Sequence, residues 1–214
     1  CKIGMNLTVI PLTGEKKDGK FCFFEELKKI LQCNKFVIKN GDVLVISSKF
    51  ISNSQGRILE INNSKVCNKA KEIAKKFNSN EKFMEIVFRE SDNILGGVAG
   101  FVMSTTNGIL APNAGIDKSN SKGTKIILYP NEPYKFAEEL KRKIFLELNL
   151  HVGIIIVDSR LMPARIGTTG VAIACAGIEP TKDLRGEKDL DGNPLKVTFQ
   201  ATADNLASIA NHEM

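Results

Sequence analysis

The fold of this chain is decided by one stretch, Val152-Gly153-Ile154-Ile155-Ile156-Val157-Asp158-Ser159-Arg160. Its first six residues are small or apolar and five of them are β-branched, which predicts a strand over 152–157 that is buried on both faces. An acid, a hydroxyl and a guanidinium follow. A carboxylate beside a sheet core is costly unless a hydrogen-bond donor or a cation compensates its charge. Asp158 and its neighbours therefore indicate a site where a metal and an anion meet, and the alternative is a helix N-cap or a turn.

Size and composition place the chain among ordinary globular proteins. Its 214 residues are 43% hydrophobic and 25% charged, and no apolar run approaches the roughly 20 residues of a membrane-spanning helix. The five scattered cysteines contain no CxxC pair, which argues against a disulfide framework and favours a reducing cytoplasm as the setting. Because the chain stops at Met214 inside a helical pattern, we also expect further residues after 214.

The net charge of +6 suits either a nucleic-acid binder or an enzyme that handles acidic ligands. Most lysines fall where helices are predicted, which is typical of solvated helix faces. The chain has no tryptophan and only two tyrosines, so a base-stacking platform is poorly supplied. We therefore expect small acidic ligands as partners, with no nucleic acid and no membrane among them.

The spacing of apolar residues predicts a mixed α/β chain without internal repeats. Residues 1–214 are expected to form one domain, with two lobes enclosing the site in a cleft as the alternative. The loop 180–195 has no predicted secondary structure and is interpreted as a flap or an interface arm. The predicted helices cover 22–33, 65–77 with Ser64 as N-cap, about 81–90 ended by Gly96-Gly97, 134–148, and a last segment from about 203. The predicted strands are 43–48, 98–105 with its hairpin partner 109–111 after the turn at 106–108, 124–129, 152–157, and 196–202 with Val197 and Phe199 on one face.

Three polar segments each lie next to a predicted strand, at 47–53, 113–120 and 158–167. Hydroxyls and a lysine after a strand suit phosphate oxygens, and carboxylates with a neighbouring hydroxyl suit Mg²⁺ or Mn²⁺. The sequence contains neither a Walker A motif nor GxGxxG, and no HExxH pattern accompanies its two histidines, His151 and His212. The segments therefore predict a divalent cation beside an anionic ligand, without a standard nucleotide fingerprint.

These segments, in this order, resemble the coenzyme F420-0:L-glutamate ligases, a family also described as F420:gamma-glutamyl ligases. The most specific match is the motif Asn113-Ala114-Gly115-Ile116-Asp117. The resemblance covers nearly the whole chain from residue 9 on. The other matching stretches are 41–48, Ser52, Gly56-Arg57, Ser119-Asn120, 153–158, 167–177, Lys188-Asp189-Leu190 and Ala203-Asp204.

The resemblance implies a GTP- and divalent-metal-dependent amide ligase that adds L-glutamate to a deazaflavin coenzyme precursor. It implies an F420-ligase-like fold, in which mixed sheets are flanked by helices. It further implies a homodimer whose sheets pack across the interface, with the site in a cleft. Mg²⁺ or Mn²⁺ would be the metal, and GTP would be a co-substrate.

The resemblance also assigns roles to individual residues. Asp117 and Asp158 are the expected catalytic acids that hold the cations. Two arginines are candidates from their own chemistry, because a guanidinium binds carboxylate or phosphate in a bidentate manner, and a surface ion pair is the alternative for both. Ser159 is expected as a further metal ligand, the expected nucleotide contacts are Ser48, Lys49 and Asn120, and the two arginines are Arg160 and Arg165.

Several departures from the family pattern keep two alternatives open. Asn53 stands where the family usually has lysine, and residues 159–166 differ from the family's usual Thr-Asn-Gly-Arg stretch. A glycine-glutamate segment that the family supplies after the last helix falls beyond residue 214. The alternatives are a divergent member that ligates glutamate to another acceptor, and a metal-nucleotide binding protein without catalysis.

Overall fold

The structure is a computed structural model that describes residues 7–15, 17, 19–63, 65–118, 125–161 and 166–214. The mixed α/β class is confirmed, with six α-helices and four small sheets in this part of the chain. The chain divides into two compact units. The first contains Cys1–Glu15, Leu27–Ile46 and Tyr134–Met214, and the second contains Lys16–Glu26 and Ser47–Pro133. Over the described ranges, every helix is too short or too polar to cross a membrane.

Most helices lie where the apolar periodicity predicts them. The exception is α2. Its sequence SKFISNSQ lacks an apolar stripe, so the periodicity predicts only a polar segment beside a strand. α3 begins three residues later than predicted, since the Cys67 thiol accepts a bond from the Ala70 amide as its N-cap, and Ser64 lies outside the described residues. The helices are α1 Phe23–Cys33, α2 Ser48–Gln55, α3 Asn68–Lys76, α4 Glu81–Glu90, α5 Pro133–Leu148 and α6 Thr202–His212.

The strands are more numerous than predicted, and several are shorter, whereas β7 is longer. They are β1 Val43–Ser47, β2 Ile58–Glu60, β3 Asn93–Val98, β4 Phe101–Thr106, β5 Ile109–Pro112, β6 Lys125–Ile127, β7 Gly153–Leu161, β8 Thr168–Ala176, β9 Lys182–Asp183 and β10 Phe199–Gln200. They form the sheets β1-β7-β8, β3-β4-β5, β2-β6 and β9-β10.

The predictions for Gly96-Gly97 and for 196–202 are wrong. Gly96-Gly97 does not end α4 but lies inside β3, which pairs antiparallel with β4. The predicted 196–202 strand is reduced to β10, and Val197 and Phe199 are 84% and 50% exposed. Alternation at 196–202 therefore marks a short ribbon with β9, which lies within the predicted loop 180–195, and it does not mark a core strand.

The first unit is built on β7, as the opening stretch predicts. Gly153 to Val157 are buried, and β7 pairs antiparallel with β8. α6 packs on this pair through Ala203 and Ala207, which meet Ile155 and Val157 in one apolar cluster. The approach is close enough that a side chain at Gly170 would overlap the backbone oxygen of Ala207.

The second unit has a separate core, in which α3 and α4 meet the turn that precedes Asp117. Met84 and Val87 are buried as predicted, but Phe88 is 38% exposed, because α4 turns Phe83 and Ile86 inward instead. The residues of this core are Ile73, Ala74, Phe77, Phe83, Met84, Ile86, Val87, Val102, Ala114, Ile116, Ile126 and Leu128.

Candidate functional site

Asp117 is delivered by a left-handed turn in the second unit. Asn113, Ala114 and Gly115 have φ angles of 50°, 57° and 67°, and non-glycine residues adopt this region rarely because it costs each of them roughly 1–2 kcal/mol. Ala114 is fully buried, and a side chain at Gly115 would overlap the Tyr129 ring. Few other sequences could therefore adopt the backbone conformation of the Asn-Ala-Gly-Ile-Asp motif.

Buried hydrogen bonds hold this turn in place. The Asn113 Oδ1 atom accepts a bond from the Val102 amide at 2.9 Å. The Ser104 hydroxyl donates to the Ala111 carbonyl at 2.7 Å and accepts from the Ala114 amide at 2.9 Å. Ser104 is fully buried, so its two bonds are shielded from water. The sequence prediction missed Ser104, whose position on an alternating strand gave no signal of this role.

The backbone of Asp117 is then fixed on both sides. Its amide donates to the Ile127 carbonyl at 2.9 Å, and its carbonyl accepts from the Ile127 amide at 3.0 Å. The carboxylate forms an ion pair with the ammonium of Lys49, and the two side chains are 30% and 29% exposed. The structure thus brings together two of the three polar segments, which are 68 positions apart from Lys49 to Asp117 in the sequence.

Lys49 projects from the first turn of α2, whose N-terminal end is suited to anions. Amide groups at the start of a helix point outward and carry partial positive charge, which favours phosphate or carboxylate. Ser47 occupies the N-cap position without a side-chain capping bond to the described residues, and Ser48 is 8% exposed. The pairing of Ser48 and Lys49 with phosphate oxygens stays a prediction.

Two buried polar atoms follow on the same helix. The Ser52 hydroxyl and the Asn53 Oδ1 atom find no hydrogen-bond partner within the described part of the chain. Such atoms cost roughly 1–3 kcal/mol each when they are left unsatisfied. From the family resemblance we expect a lysine at the position of Asn53, and in this chain the position carries a buried amide oxygen instead.

Lys118, next to Asp117, has a different environment from Lys49. Its ammonium lies 3.2 Å from the centre of the Phe83 ring, within cation–π range. Burial lowers the pKa of Lys118, because it disfavours the charged form. Two lysines therefore lie near Asp117. Lys49 contacts the Asp117 carboxylate, and Lys118 lies over the Phe83 ring.

Asp158 lies in the first unit, inside β7 and not at its end. β7 continues to Leu161, with Asp158 opposite Val171 and Arg160 opposite Thr169. The prediction that the strand ends at Val157 is therefore wrong, and the alternative of a helix cap or turn is excluded for these residues. An antiparallel partner extends the strand, since β8 supplies ladder bonds that let polar residues remain in the sheet.

Arg160 compensates the Asp158 carboxylate. Its Nε atom donates to Asp158 Oδ2 at 3.0 Å, and the arginine side chain is only 8% exposed. The alternative of a surface ion pair is therefore wrong for Arg160, because the guanidinium is buried. The Asp158 charge is thus offset by a guanidinium two positions away on the same face of the strand, and a metal at Asp158 stays a prediction.

Ser159 lies between them and is exposed. Successive side chains of a strand point to opposite faces, so its hydroxyl is directed away from the Asp158 carboxylate. The side chains of Asp158 and Ser159 are thus poorly placed to share one cation while β7 keeps this geometry. Ligation of a metal by Ser159 stays a prediction.

The remaining predicted site residues are divided by position. Asn120 and Arg165 lie outside the described residues. Asp117 belongs to the second unit and Asp158 to the first, so their convergence on shared cations also stays a prediction. Within the described residues, no three His, Cys, Asp or Glu side chains are grouped closely enough to bind a metal by themselves.

Two further matching motifs have structural roles. The Asp204 Oδ1 atom accepts a bond from the Ala172 amide at 2.9 Å, which ties the start of α6 to β8 directly opposite Val157. Arg57 pairs with Glu90, and its Nε atom donates to the Tyr129 carbonyl at 3.0 Å. The residues that match the family motifs therefore include some with structural hydrogen bonds, such as Asp204 and Arg57, as well as candidate ligand contacts.

The fold and these acids define an α/β protein with two carboxylates that are each paired to a basic side chain. Residues 12–214 match the family F420-0:Gamma-glutamyl ligase. The chain is 34% identical over 209 residues to the coenzyme F420:L-glutamate ligase of Archaeoglobus fulgidus, covering 97% of this chain and 82% of that protein. It is 36% identical over 178 residues to the protein of the same name from Methanocaldococcus jannaschii, covering 82% and 71%. The chain belongs to the F420-0:gamma-glutamyl ligase family, which confirms the resemblance found in the sequence.

Proposed function

We propose that this protein attaches L-glutamate to a deazaflavin coenzyme precursor in coenzyme F420 biosynthesis, with GTP as the energy source. Membership of the family over residues 12–214 carries this proposal. The pairing of Lys49 on α2 with Asp117 supports it, because it joins a cationic helix start to a carboxylate. Such a combination suits a nucleotide phosphate accompanied by a divalent cation.

The chemistry requires activation of the acceptor. A carboxylate and an amine do not condense in water, so the acceptor carboxylate oxygen attacks the γ-phosphorus of GTP and GDP leaves. The glutamate amine then attacks the carbonyl carbon of the acyl phosphate, inorganic phosphate leaves, and the nitrogen loses its proton. For the first step the protein mainly positions groups and neutralises charge.

A divalent cation fits the donor chemistry of the proposed site. Mg²⁺ and Mn²⁺ take hard oxygen ligands, keep several waters, and bind through one or two carboxylates together with substrate phosphates. Asp117 and Asp158 are the carboxylates that would hold it, whereas Ser159 could contribute only if β7 changed its geometry. When bound, the cation would neutralise charge on the phosphates.

The basic residues would position the anionic substrates. Lys49 and the amide groups at the start of α2 would bind phosphate oxygens, together with Ser48 and Asn120. Arg160 would orient the Asp158 carboxylate through its Nε–H bond. Arg165 would bind a carboxylate or phosphate of the acceptor or of glutamate. Every substrate is anionic, which gives the net charge of +6 a function.

A second candidate keeps the same reaction but changes the acceptor. It rests on Arg160, which is engaged with Asp158 within the strand at a position where the family's usual stretch differs. An acceptor without the usual anionic contacts would suit this arrangement. Turnover with other carboxylate acceptors, at rates above that of the deazaflavin precursor, would favour this candidate.

The decisive experiment incubates the purified protein with GTP, Mn²⁺, L-glutamate and the deazaflavin precursor, and follows the acceptor by mass spectrometry. We expect the acceptor mass to rise by whole glutamyl residues, with GDP formed only when acceptor and glutamate are both present. ATP in place of GTP tests the nucleotide preference, and light scattering tests the proposed homodimer. GTP and Mn²⁺ binding without any product would favour a non-catalytic metal-nucleotide binding protein instead.

A further inference from the structure

The two carboxylates proposed to hold the cation both have a basic partner, but the partners differ in exposure to water. Lys49 reaches Asp117 from a separate element, and its side chain is 29% exposed. Arg160 is held two residues from Asp158 on the same strand and is 8% exposed. One partner can therefore exchange with solvent or ligand, whereas the other is enclosed with its acid.

The chemistry of the two cations reinforces this difference. A lysine ammonium is a hydrated point charge on a flexible four-carbon chain, whereas a guanidinium is a rigid fork that prefers fixed geometry. A partly exposed ion pair contributes only about 0–1 kcal/mol, so breaking it is easy. Separating a buried pair leaves an uncompensated charge away from water and is far more costly.

We propose that Lys49 is an exchangeable counter-ion of Asp117, which a divalent cation displaces so that the ammonium moves to an anionic oxygen of the nucleotide. Arg160, in contrast, stays on Asp158 whether or not a cation is bound. This inference rests on the proposed function. It assigns Lys49 a positioning role that couples metal binding to nucleotide binding.

The charges of Asp117, Lys49 and a divalent cation are consistent with this exchange. Before a cation binds, the Lys49 ammonium offsets negative charge on the Asp117 carboxylate. A divalent cation carries twice the charge of an ammonium and would compete for the same oxygens. The displaced ammonium would remain near the start of α2, where an anionic ligand is favoured.

The test measures Mn²⁺ affinity by calorimetry in the absence and in the presence of GTP. Without nucleotide, Lys49→Met is expected to bind Mn²⁺ about fivefold more tightly than the unaltered protein, the factor that corresponds to loss of a competing partly exposed ion pair. Lys49→Arg keeps a charge on the carboxylate and is expected to bind Mn²⁺ within twofold of the unaltered protein. With GTP, Lys49→Met is expected to lose most of the mutual enhancement between Mn²⁺ and nucleotide.

Lys118→Met is the matched control, because it removes a positive charge next to Asp117 whose ammonium lies on the Phe83 ring. A gain in Mn²⁺ affinity as large in Lys118→Met as in Lys49→Met would overturn the exchange, since net charge alone would then explain both. Unchanged Mn²⁺ affinity in Lys49→Met, in a protein that still forms product, would overturn the exchange and leave the proposed function intact. If the unaltered protein binds neither Mn²⁺ nor GTP, the proposed function fails first. Thermal melts establish that each variant is folded, and Lys49→Gln serves as the second variant.

Discussion

The region around Asp117 and the region around Asp158 present an acid in opposite ways. Asp117 follows a turn of three left-handed residues, and hydrogen bonds of the Asn113 and Ser104 side chains hold that turn in place. Asp158 lies in the antiparallel pair β7–β8, just after a register shift between Ile156 and Val157, and its backbone is extended, a conformation that most residues can adopt. The left-handed backbone of the turn therefore restricts which residues can occupy it, whereas the extended backbone of the strand does not. This is why the Asn-Ala-Gly-Ile-Asp motif is specific to a family and a strand followed by an acid is not.

The two regions also differ in how their charge is compensated. The Lys49–Asp117 pair is about 30% exposed on both sides, and the Arg160–Asp158 pair is largely buried. Exposed pairs contribute little to stability, and loss of one partner from a buried pair is severe. Substitution of Asp117 should therefore lower activity with little loss of stability, whereas substitution of Asp158 should lower both.

The largest expected effect is on activity. Asp117→Ala and Asp158→Ala should each lower kcat/KM by about 100-fold or more, because each removes a proposed cation ligand. Only Asp158→Ala should also lower the free energy of unfolding, by about 3 kcal/mol, since it removes the carboxylate that accepts a hydrogen bond from the buried Arg160 side chain. Steady-state kinetics and urea denaturation measure the two effects. Equal losses of stability in the two variants would contradict the proposed difference between the pairs.

A second pair of variants compares the backbones of the two regions. Gly115→Ala should lower the free energy of unfolding by about 3 kcal/mol, because alanine is strained at φ 67° and would collide with the buried Tyr129 ring. Gly170→Ala should cost about 2 kcal/mol, because it meets the same kind of steric overlap without a positive φ. Denaturant titration of both variants gives the ranking, and a smaller effect at Gly115 than at Gly170 would show that the turn relaxes easily.

A third prediction concerns the pH dependence of a buried carboxylate, Glu85, in the unit that carries Asp117. Glu85 is 2% exposed, and bonds from the Cys67 amide at 2.8 Å and from Arg89 hold the pKa of its carboxyl below the ordinary value. Its charged form therefore stabilises the fold at pH values above about 4.3, and this contribution is lost as the pH falls through the folded pKa.

Glu85→Gln should accordingly cost about 1–3 kcal/mol at pH 7, and the difference from the unaltered protein should shrink below about pH 4. Thermal melts at several pH values measure this difference. The control is Asp183→Asn, in the first unit, where Arg185 lowers the pKa of an exposed aspartate to about 2. No change in stability is expected there, because water screens the pair.

The smallest expected effects concern helix caps, one in each unit. Ala201 occupies the N-cap position of α6 without a side-chain capping bond within the described residues, so Ala201→Ser should raise the free energy of unfolding by about 0.5–1 kcal/mol. Cys67 already caps α3 through its sulfur, so Cys67→Ser should add only a few tenths of a kcal/mol. Chemical denaturation measures both free energies of unfolding. A larger increase for Cys67→Ser than for Ala201→Ser would contradict this order.

Helix positions were largely accessible from the sequence, whereas several supporting contacts were not. α1, α4, α5 and α6 follow apolar periodicity, which arises from burial of one helix face. α2 escaped prediction because Ser48, Lys49, Ser52 and Asn53 interrupt its apolar face. The continuation of β7 through Asp158 also escaped prediction, since pairing with β8 depends on residues that follow later in the chain.

The sequence by itself determined the mixed α/β class, the buried strand at its centre, and membership of the ligase family, because these depend on local periodicity and on a motif constrained by its own backbone. Only the tertiary structure decided that Lys49 lies on Asp117 and that Arg160 is enclosed with Asp158. Partnership and burial are properties of the folded surface, and local sequence does not encode which distant side chain will share a carboxylate or how much water will reach it.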